Sequence, residues 1–235
     1  MYTFIIIIIL IFCIIYALTM IKERYKKHMT DINFWKSKYD SHHDKMYKLI
    51  KKVKYYLEKH KIDYWIHAGT LLGYTRHNGI IPWDDDIDFG YLKNDNINGL
   101  IDDLETNGFK IENSFFGFKI FDDSQDDKLF VDMFEFTQTN NEFKQTYYSE
   151  MIWPKENYLY NELLPLKKCN FNGIILSCPN NPEKFCEKVY SKDYMNVFYV
   201  NSPHPYMFLN NIIDGVGISL NYGEKFMIKD LKNNC

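Results

Sequence analysis

The segment AGTLLGYTRHNGIIPWDDDIDFG, residues 68–90, joins a glycine-containing turn to an acidic run that large apolar side chains interrupt. Neighbouring carboxylates repel by about 1 kcal/mol at 4 Å in water, and by several kcal/mol in less polar surroundings. Because Ile87 and Phe89 belong in a core, a divalent cation is the simplest means of holding the adjacent charges there. The alternative, an acidic surface loop, does not explain this alternation. The acidic residues are Asp84, Asp85, Asp86 and Asp88.

An extended backbone over Asp86–Phe89 predicts how these side chains divide. Side chains alternate along a strand, so Asp86 and Asp88 share one face while the apolar residues between them enter the core. Two carboxylates on one face suit hard cations such as Mg²⁺ or Mn²⁺, which prefer oxygen ligands. Asp84 adds a ligand, acts on a proton or caps the turn, and Asp85 is expected to be exposed.

A second acidic position lies farther along the chain. Leu129–Phe136 reads as a strand with Asp132 inside an apolar run, and a buried carboxylate needs a partner. We expect this strand to neighbour the strand of Asp86 and Asp88, so that three carboxylates surround one or two metals. The alternative is a structural aspartate that is hydrogen-bonded to backbone. Glu135 is out of phase with Asp132 and is the weaker candidate.

The turn before the acidic run has the features of a phosphate site. Ile62–His67 is rich in β-favouring residues and predicts a strand, which leads into a tight turn over Ala68–Gly73 that opens a short helix. Small residues let backbone N–H groups and a hydroxyl approach a phosphate, and a helix N-terminus favours an anion. A purely structural turn is the alternative.

Residues 1–21 are expected to form a membrane-spanning signal anchor. Phe4–Ile21 carries no charged side chain and is close to the lower length limit for crossing about 30 Å of hydrocarbon. A cleaved signal peptide is the alternative, although no A-x-A pattern follows. Basic residues follow this run and none precedes it, which favours a cytoplasmic catalytic domain. A luminal orientation, as in a single-pass Golgi or ER protein, stays open.

Residues 22–60 are expected to form an amphipathic helical stem, and residues 61–235 the catalytic domain. Between Asp31 and His60, apolar residues recur every three or four positions while lysines fill the gaps. These apolar residues are Met46, Leu49, Ile50, Val53, Tyr56 and Leu57.

The composition indicates a folded protein that does not bind nucleic acid. Aromatic residues make up 17% of the 235 residues, whereas disordered chains are poor in aromatic side chains. The net charge of -3 gives no excess of Lys and Arg for a nucleic-acid backbone. The five cysteines form no CxxC pair, so no zinc ribbon is indicated. One bridge among Cys169, Cys178 and Cys186 is compatible with the sequence, but we expect free or buried thiols.

At these motifs the chain resembles the LicD/fukutin family of phosphotransferases, which includes bacterial phosphocholine transferases and fukutin-related ribitol-phosphate transferases. The similar stretches occur in the family's order. They are residues 68–90, FVDMFEF at 130–136, and NELLPLKKCNFNGIILSCPNNPEKFCEKVYSKDYM at 161–195. One departure is Ser191, which stands where the family usually has glycine.

The resemblance implies an α/β fold with a nucleotidyltransferase-like mixed sheet and flanking helices, here preceded by the N-terminal transmembrane helix. It implies transfer of a substituted phosphate from a CDP-linked donor to a hydroxyl, with release of CMP, and we expect a glycan or glycolipid acceptor. The expected catalytic residues are Asp84, Asp86, Asp88 and Asp132. The expected metal ligands are Asp86, Asp88 and Asp132. The residues assigned to the donor phosphate are Gly69, Thr70 and Arg76.

Two other functions are compatible with the same residues. A DxD glycosyltransferase would use Asp86 and Asp88 to hold a metal and a nucleotide sugar, and it would release UDP or GDP instead of CMP. An inactive, membrane-tethered relative would bind nucleotide or glycan without turnover. Retention of all the carboxylates argues against the inactive relative.

Overall fold

The computed structural model describes residues 10–17, 19–20, 32–94, 96–122, 129–200 and 224–227. Much of the expected anchor, residues 1–21, lies outside the described residues; within it, 10–17 and 19–20 are helical. In the described parts of the chain, no helix combines the length and the apolar character that crossing a bilayer requires. The anchor and the domain boundaries stay predictions.

The described residues form six labelled helices and eleven strands. The helices are α1 (Ile32–Lys59), α2 (Ala68–His77), α3 (Ile97–Thr106), α4 (Tyr147–Ile152), α5 (Tyr160–Leu163) and α6 (Pro182–Tyr190). The strands are β1 (Tyr64–Ile66), β2 (Ile87–Leu92), β3 (Phe109–Ser114), β4 (Gly117–Asp122), β5 (Phe130–Thr139), β6 (Glu142–Gln145), β7 (Tyr158–Leu159), β8 (Lys167–Phe171), β9 (Ile174–Cys178), β10 (Val197–Val200) and β11 (Glu224–Met227).

The main sheet mixes parallel and antiparallel pairs. Its strand order is β1-β2-β5-β4-β3, and β6 pairs with the far end of β5 and with β7. The pair β2 and β5 is parallel, while β1 with β2, β4 with β5, and β3 with β4 are antiparallel. The expected mixed α/β sheet with flanking helices is therefore confirmed. The parallel pair lies in the middle of the sheet, where it carries the acidic residues.

Helix α1 belongs to the core of this domain. It carries the predicted amphipathic pattern, and its buried face includes Ile50 and Val53, both fully buried. Farther along the chain, Gly90 in β2 lies against the fully buried Trp65 of β1; a Cβ at this glycine would stand 2.5 Å from the indole ring. A side chain at this position would therefore overpack the junction of the first two strands.

A small hairpin, β8 and β9, corrects the expectation of free thiols. Cys169 and Cys178 form a disulfide, with their Cα atoms 6.0 Å apart. The antiparallel register pairs Cys169 with Leu176, so Cys178 lies one diagonal step away. Cys186 stays free and is buried in α6, as expected. Spacing in the sequence does not show hairpin register, and so it could not select this pair.

Candidate active site

Three aspartates meet where the parallel strands lie side by side. Asp88 of β2 is directly paired with Asp132 of β5, and Asp86 immediately precedes β2. An oxygen of each carboxylate lies within 4.8 Å of the others, and the residues are 8%, 7% and 6% exposed in the order Asp86, Asp88, Asp132. The expected neighbourhood of the two acidic strands is therefore confirmed. Its metal role stays a prediction.

The electrostatics of this cluster suit a cation. Burial raises the pKa of Asp88 well above its usual value, and the nearby Asp86 and Asp132 carboxylates raise it further. A buried group of like charges is costly unless positive charge balances it. The donors are all carboxylate oxygens, the ligands that Mg²⁺ and Mn²⁺ prefer. The residues that the structure brings together therefore fit the expected metal.

The glycine-containing turn lies against Asp88. Ala68 adopts a left-handed conformation with φ 38°, which turns the chain from β1 into α2. The Gly69 N–H then donates to Asp88 Oδ2 at 2.9 Å, and the Asp88 N–H donates to Thr70 Oγ1 at 2.8 Å. A Cβ at Gly69 would stand 3.2 Å from carboxylate oxygens of both Asp84 and Asp88. The turn thus orients Asp88, and its glycine leaves room for the carboxylates.

Asp84 and Asp85 occupy the loop between α2 and β2 and are half-buried. With Asp86 they form a second group whose carboxylate oxygens lie within 4.8 Å of one another. Asp86 belongs to both groups. We expected Asp85 to be exposed, but it is half-buried, and its carbonyl oxygen lies 3.1 Å from His42 Nε2 of α1.

Arg76 lies at the end of α2 and contacts the backbone of a later segment. Its Nη1 donates to the carbonyl oxygens of Val197 at 2.9 Å and Tyr194 at 3.2 Å, and its Nε donates to His77 Nε2 at 2.9 Å. Burial lowers the pKa of Arg76 to about 10, so the side chain stays charged at neutral pH. The structure thus shows Arg76 holding residues 194–197, and its donor-phosphate role stays a prediction.

Ser191 begins the connection from α6 to this segment. Its backbone has φ 94° and ψ 163°, a region that is comfortable only for glycine. The glycine usual in the family therefore has a physical reason, and the serine here carries strain.

Lys119 is a site residue that our sequence analysis missed. It is paired with Asp132 across β4 and β5, and its Nζ lies 2.6 Å from Asp132 Oδ1. The ammonium also lies 3.9 Å from the centre of the Phe130 ring. The sequence shows only a lysine between aromatic residues in GFKIFD; the register of β4 and β5 places it on the same sheet face as Asp132.

Behind the cluster, His67 is fully buried in a polar group. Its Nδ1 lies 2.9 Å from Tyr158 Oη, and Gln145 Nε2 lies 3.1 Å from its Nε2. The backbone N–H of His67 donates to the backbone carbonyl oxygen of Asp88 at 3.0 Å. With partners at both ring nitrogens, His67 has a structural role.

Comparison with known proteins identifies the family. Residues 61–181 match the family model described as "LicD/FKTN/FKRP, nucleotidyltransferase domain". The chain belongs to this family. Family membership confirms the resemblance drawn from the acidic motif, and the matched segment contains all of the carboxylates described above.

Relatives in this family include bacterial and animal proteins. An uncharacterized protein of Rickettsia typhi is 32% identical over 179 residues, covering 71% of this chain and 52% of its own. Human "Ribitol 5-phosphate transferase FKRP" is 30% identical over 144 residues, covering 56% of this chain and 28% of its own. "Lipopolysaccharide cholinephosphotransferase LicD" of Haemophilus influenzae is 49% identical over 45 residues, covering 19% of this chain and 17% of its own. The chain thus spans about half or less of the length of these three relatives.

Proposed function

We propose that this chain transfers a substituted phosphate, phosphocholine or an alditol phosphate, from a CDP-linked donor to a hydroxyl of a glycan or glycolipid. The observation that carries the proposal is the cluster of Asp86, Asp88 and Asp132, buried beside the turn at Gly69. The printed activities of the human and Haemophilus relatives, ribitol 5-phosphate transfer and cholinephosphate transfer, support this class of reaction.

Asp86, Asp88 and Asp132 would hold Mg²⁺ or Mn²⁺. A divalent cation there supplies positive charge that neutralises the phosphates of the donor and of the departing nucleotide. The chain holds in place the carboxylates that would bind this cation. Gly69 and Thr70 fix the Asp88 carboxylate and backbone, and the parallel register with β5 brings Asp132 to its side.

The proposed reaction is a displacement at phosphorus. The acceptor hydroxyl oxygen forms a bond to the phosphorus of the substituted phosphate, and the bond from that phosphorus to the bridging oxygen breaks. CMP leaves with both electrons of the broken bond, and the hydroxyl proton passes to a carboxylate. Asp84 is the best placed acceptor for this proton, because it is more exposed than the three ligands and lies outside their cluster.

Lys119 would contact the donor phosphate. Its Nζ lies 2.6 Å from Asp132 Oδ1. A donor phosphate attracted to a cation at Asp132 would therefore come within reach of the Lys119 ammonium, a point charge that binds anionic oxygens. The side chain would balance charge that the metal leaves uncompensated.

The test is release of CMP by the full-length protein with Mg²⁺ or Mn²⁺, from CDP-ribitol, CDP-choline and CDP-glycerol in parallel. We expect release from one donor, lost in Asp86→Asn and retained in Asp102→Asn, an exposed aspartate of α3 that serves as the matched control. Release of UDP or GDP from a nucleotide sugar would instead identify a glycosyltransferase. Nucleotide binding without turnover of any donor would identify an inactive binder.

A further inference from the structure

Helix α1 contacts the loop that carries the first aspartates of the site. His43 Nε2 lies 2.8 Å from the carbonyl oxygen of Asp84, and His42 Nε2 lies 3.1 Å from that of Asp85. A carbonyl oxygen only accepts hydrogen bonds, so both rings donate from a protonated Nε2. Two neighbouring residues of one helix thus bind two successive carbonyls immediately before Asp86.

The same helix binds the start of this loop. Tyr47 lies one turn after His43, and its hydroxyl accepts a hydrogen bond from the Ile80 N–H at 3.0 Å. The loop is therefore attached to α1 at Ile80, Asp84 and Asp85. Helix α1 is itself fixed, because its next turn buries Leu49 and Ile50 in the core. These three hydrogen bonds to a helix packed in the core restrict the conformations open to the loop.

The loop needs such support because its own charges oppose it. The carboxylates of Asp84, Asp85 and Asp86 lie within 4.8 Å of one another, and residues 84–86 belong to no helix or strand. Mutual repulsion favours a splayed loop when no cation is bound. Hydrogen bonds from His42 and His43 to the backbone carbonyls restrain the loop without using the carboxylate oxygens as acceptors.

We propose that His42 and His43 are positioning residues that hold the loop so that Asp86 reaches the metal cluster. The inference rests on the metal role proposed for Asp86, Asp88 and Asp132. It assigns a role to a helix that precedes the segment matched by the family, residues 61–181. Helix α1, which lies outside the matched segment, thereby contributes to the geometry of the site.

The test measures the affinity of the full-length protein for Mn²⁺ by isothermal titration calorimetry. The double variant His42→Phe/His43→Phe keeps two rings and removes both N–H donors. The double variant His42→Gln/His43→Gln supplies an amide N–H at a similar reach. His60→Phe is the matched control, because His60 follows the other end of α1 and contacts Asp103 at 2.7 Å. Far-UV circular dichroism verifies that each variant is folded.

We expect the phenylalanine pair to weaken Mn²⁺ binding by roughly tenfold to a hundredfold, the usual effect of removing groups that orient metal ligands. The glutamine pair should restore most of the affinity, and His60→Phe should leave it unchanged. If the phenylalanine pair does not fold, His42→Phe alone carries the comparison, with a smaller expected loss.

Two results would overturn the inference while leaving the metal site intact. One is a folded phenylalanine pair that binds Mn²⁺ as tightly as the wild type. The other is a glutamine pair that loses as much affinity as the phenylalanine pair, since the rings would then act by packing or as ligands. Unchanged Mn²⁺ binding in Asp86→Asn would be a different failure, because it would remove the metal site itself and the inference with it.

Discussion

Replacing Asp88 with asparagine should stabilise the metal-free protein while removing its ability to bind metal. Burial and the neighbouring carboxylates of Asp86 and Asp132 together raise the pKa of Asp88. Asparagine has nearly the same shape, and its amide oxygen can still accept the hydrogen bond from Gly69. The substitution therefore removes charge with little change in packing.

The size of the effect follows from the geometry. Carboxylate oxygens of the cluster lie within 4.8 Å of one another. At that distance two unit charges repel by about 3 kcal/mol for an effective dielectric constant of about 20. Protonation of Asp88 would also relieve this repulsion, and it costs about 4 kcal/mol at pH 7, since each pH unit above the usual pKa costs about 1.4 kcal/mol. The gain from removing the charge cannot exceed that cost. We therefore expect Asp88→Asn to raise the free energy of unfolding by about 3 kcal/mol.

The assay is thermal unfolding of both proteins in EDTA and in Mg²⁺. For a protein of this size we expect Asp88→Asn to raise Tm in EDTA by about 6–12 °C. Mg²⁺ at a hundred times its Kd should stabilise the wild type by about 2.7 kcal/mol and leave the variant unchanged. A Tm in EDTA that is equal to or below that of the wild type would refute the electrostatic reasoning.

The pH dependence provides a second check on Asp88. Its pKa is higher in the folded, metal-free chain than in the unfolded chain. Between those two pKa values the folded chain binds more protons, so its free energy of unfolding falls as the pH rises through this window. The window begins at about pH 4, the usual pKa of an aspartate. In Asp88→Asn this fall should be smaller, as urea unfolding at successive pH values would show.

Three further substitutions test other parts of the account. Gly90→Ala should lower the free energy of unfolding by about 1–3 kcal/mol in urea, because its Cβ would meet the Trp65 ring, and unchanged stability would contradict this. Ser191→Gly should raise it by about 1 kcal/mol by relieving backbone strain, and a loss of stability would argue against that strain. Lys119→Met should weaken CDP binding yet tighten Mn²⁺ binding, because the substitution removes a competing positive charge beside Asp132. Lys119→Arg should retain CDP binding. Calorimetry that shows both affinities falling in Lys119→Met would contradict this role.

Local patterns in the sequence were enough to predict the three-carboxylate cluster. Alternation along Asp86–Phe89 separated the carboxylates of the cluster from core residues, and the isolated charge at Asp132 marked the partner strand. Both arguments depend on neighbours within a few residues, where strand geometry determines the direction of each side chain. The amphipathic helix α1 followed from the same kind of pattern, whereas the mixed sheet was implied by the family resemblance.

Contacts between distant segments could not be predicted in this way. Lys119 meets Asp132 only because β4 and β5 pair in one register, and His43 meets the loop across 41 positions of the chain. Arg76 was assigned to phosphate, yet its hydrogen bonds reach residues 118 and 121 positions later. Each of these contacts depends on tertiary packing, which periodicity does not reveal.

The most direct test of the account compares metal-dependent CMP release by the wild type with that by Asp132→Asn, using Asp102→Asn as the control. Asp132 is the proposed ligand on a strand remote in sequence from the DDDID motif, and its proposed role rests on the parallel register with Asp88. We predict that Asp132→Asn loses at least about a hundredfold in CMP release and in Mn²⁺ affinity, by analogy with the loss of other metal-site groups. CMP release and Mn²⁺ affinity equal to those of the wild type would contradict the proposed site.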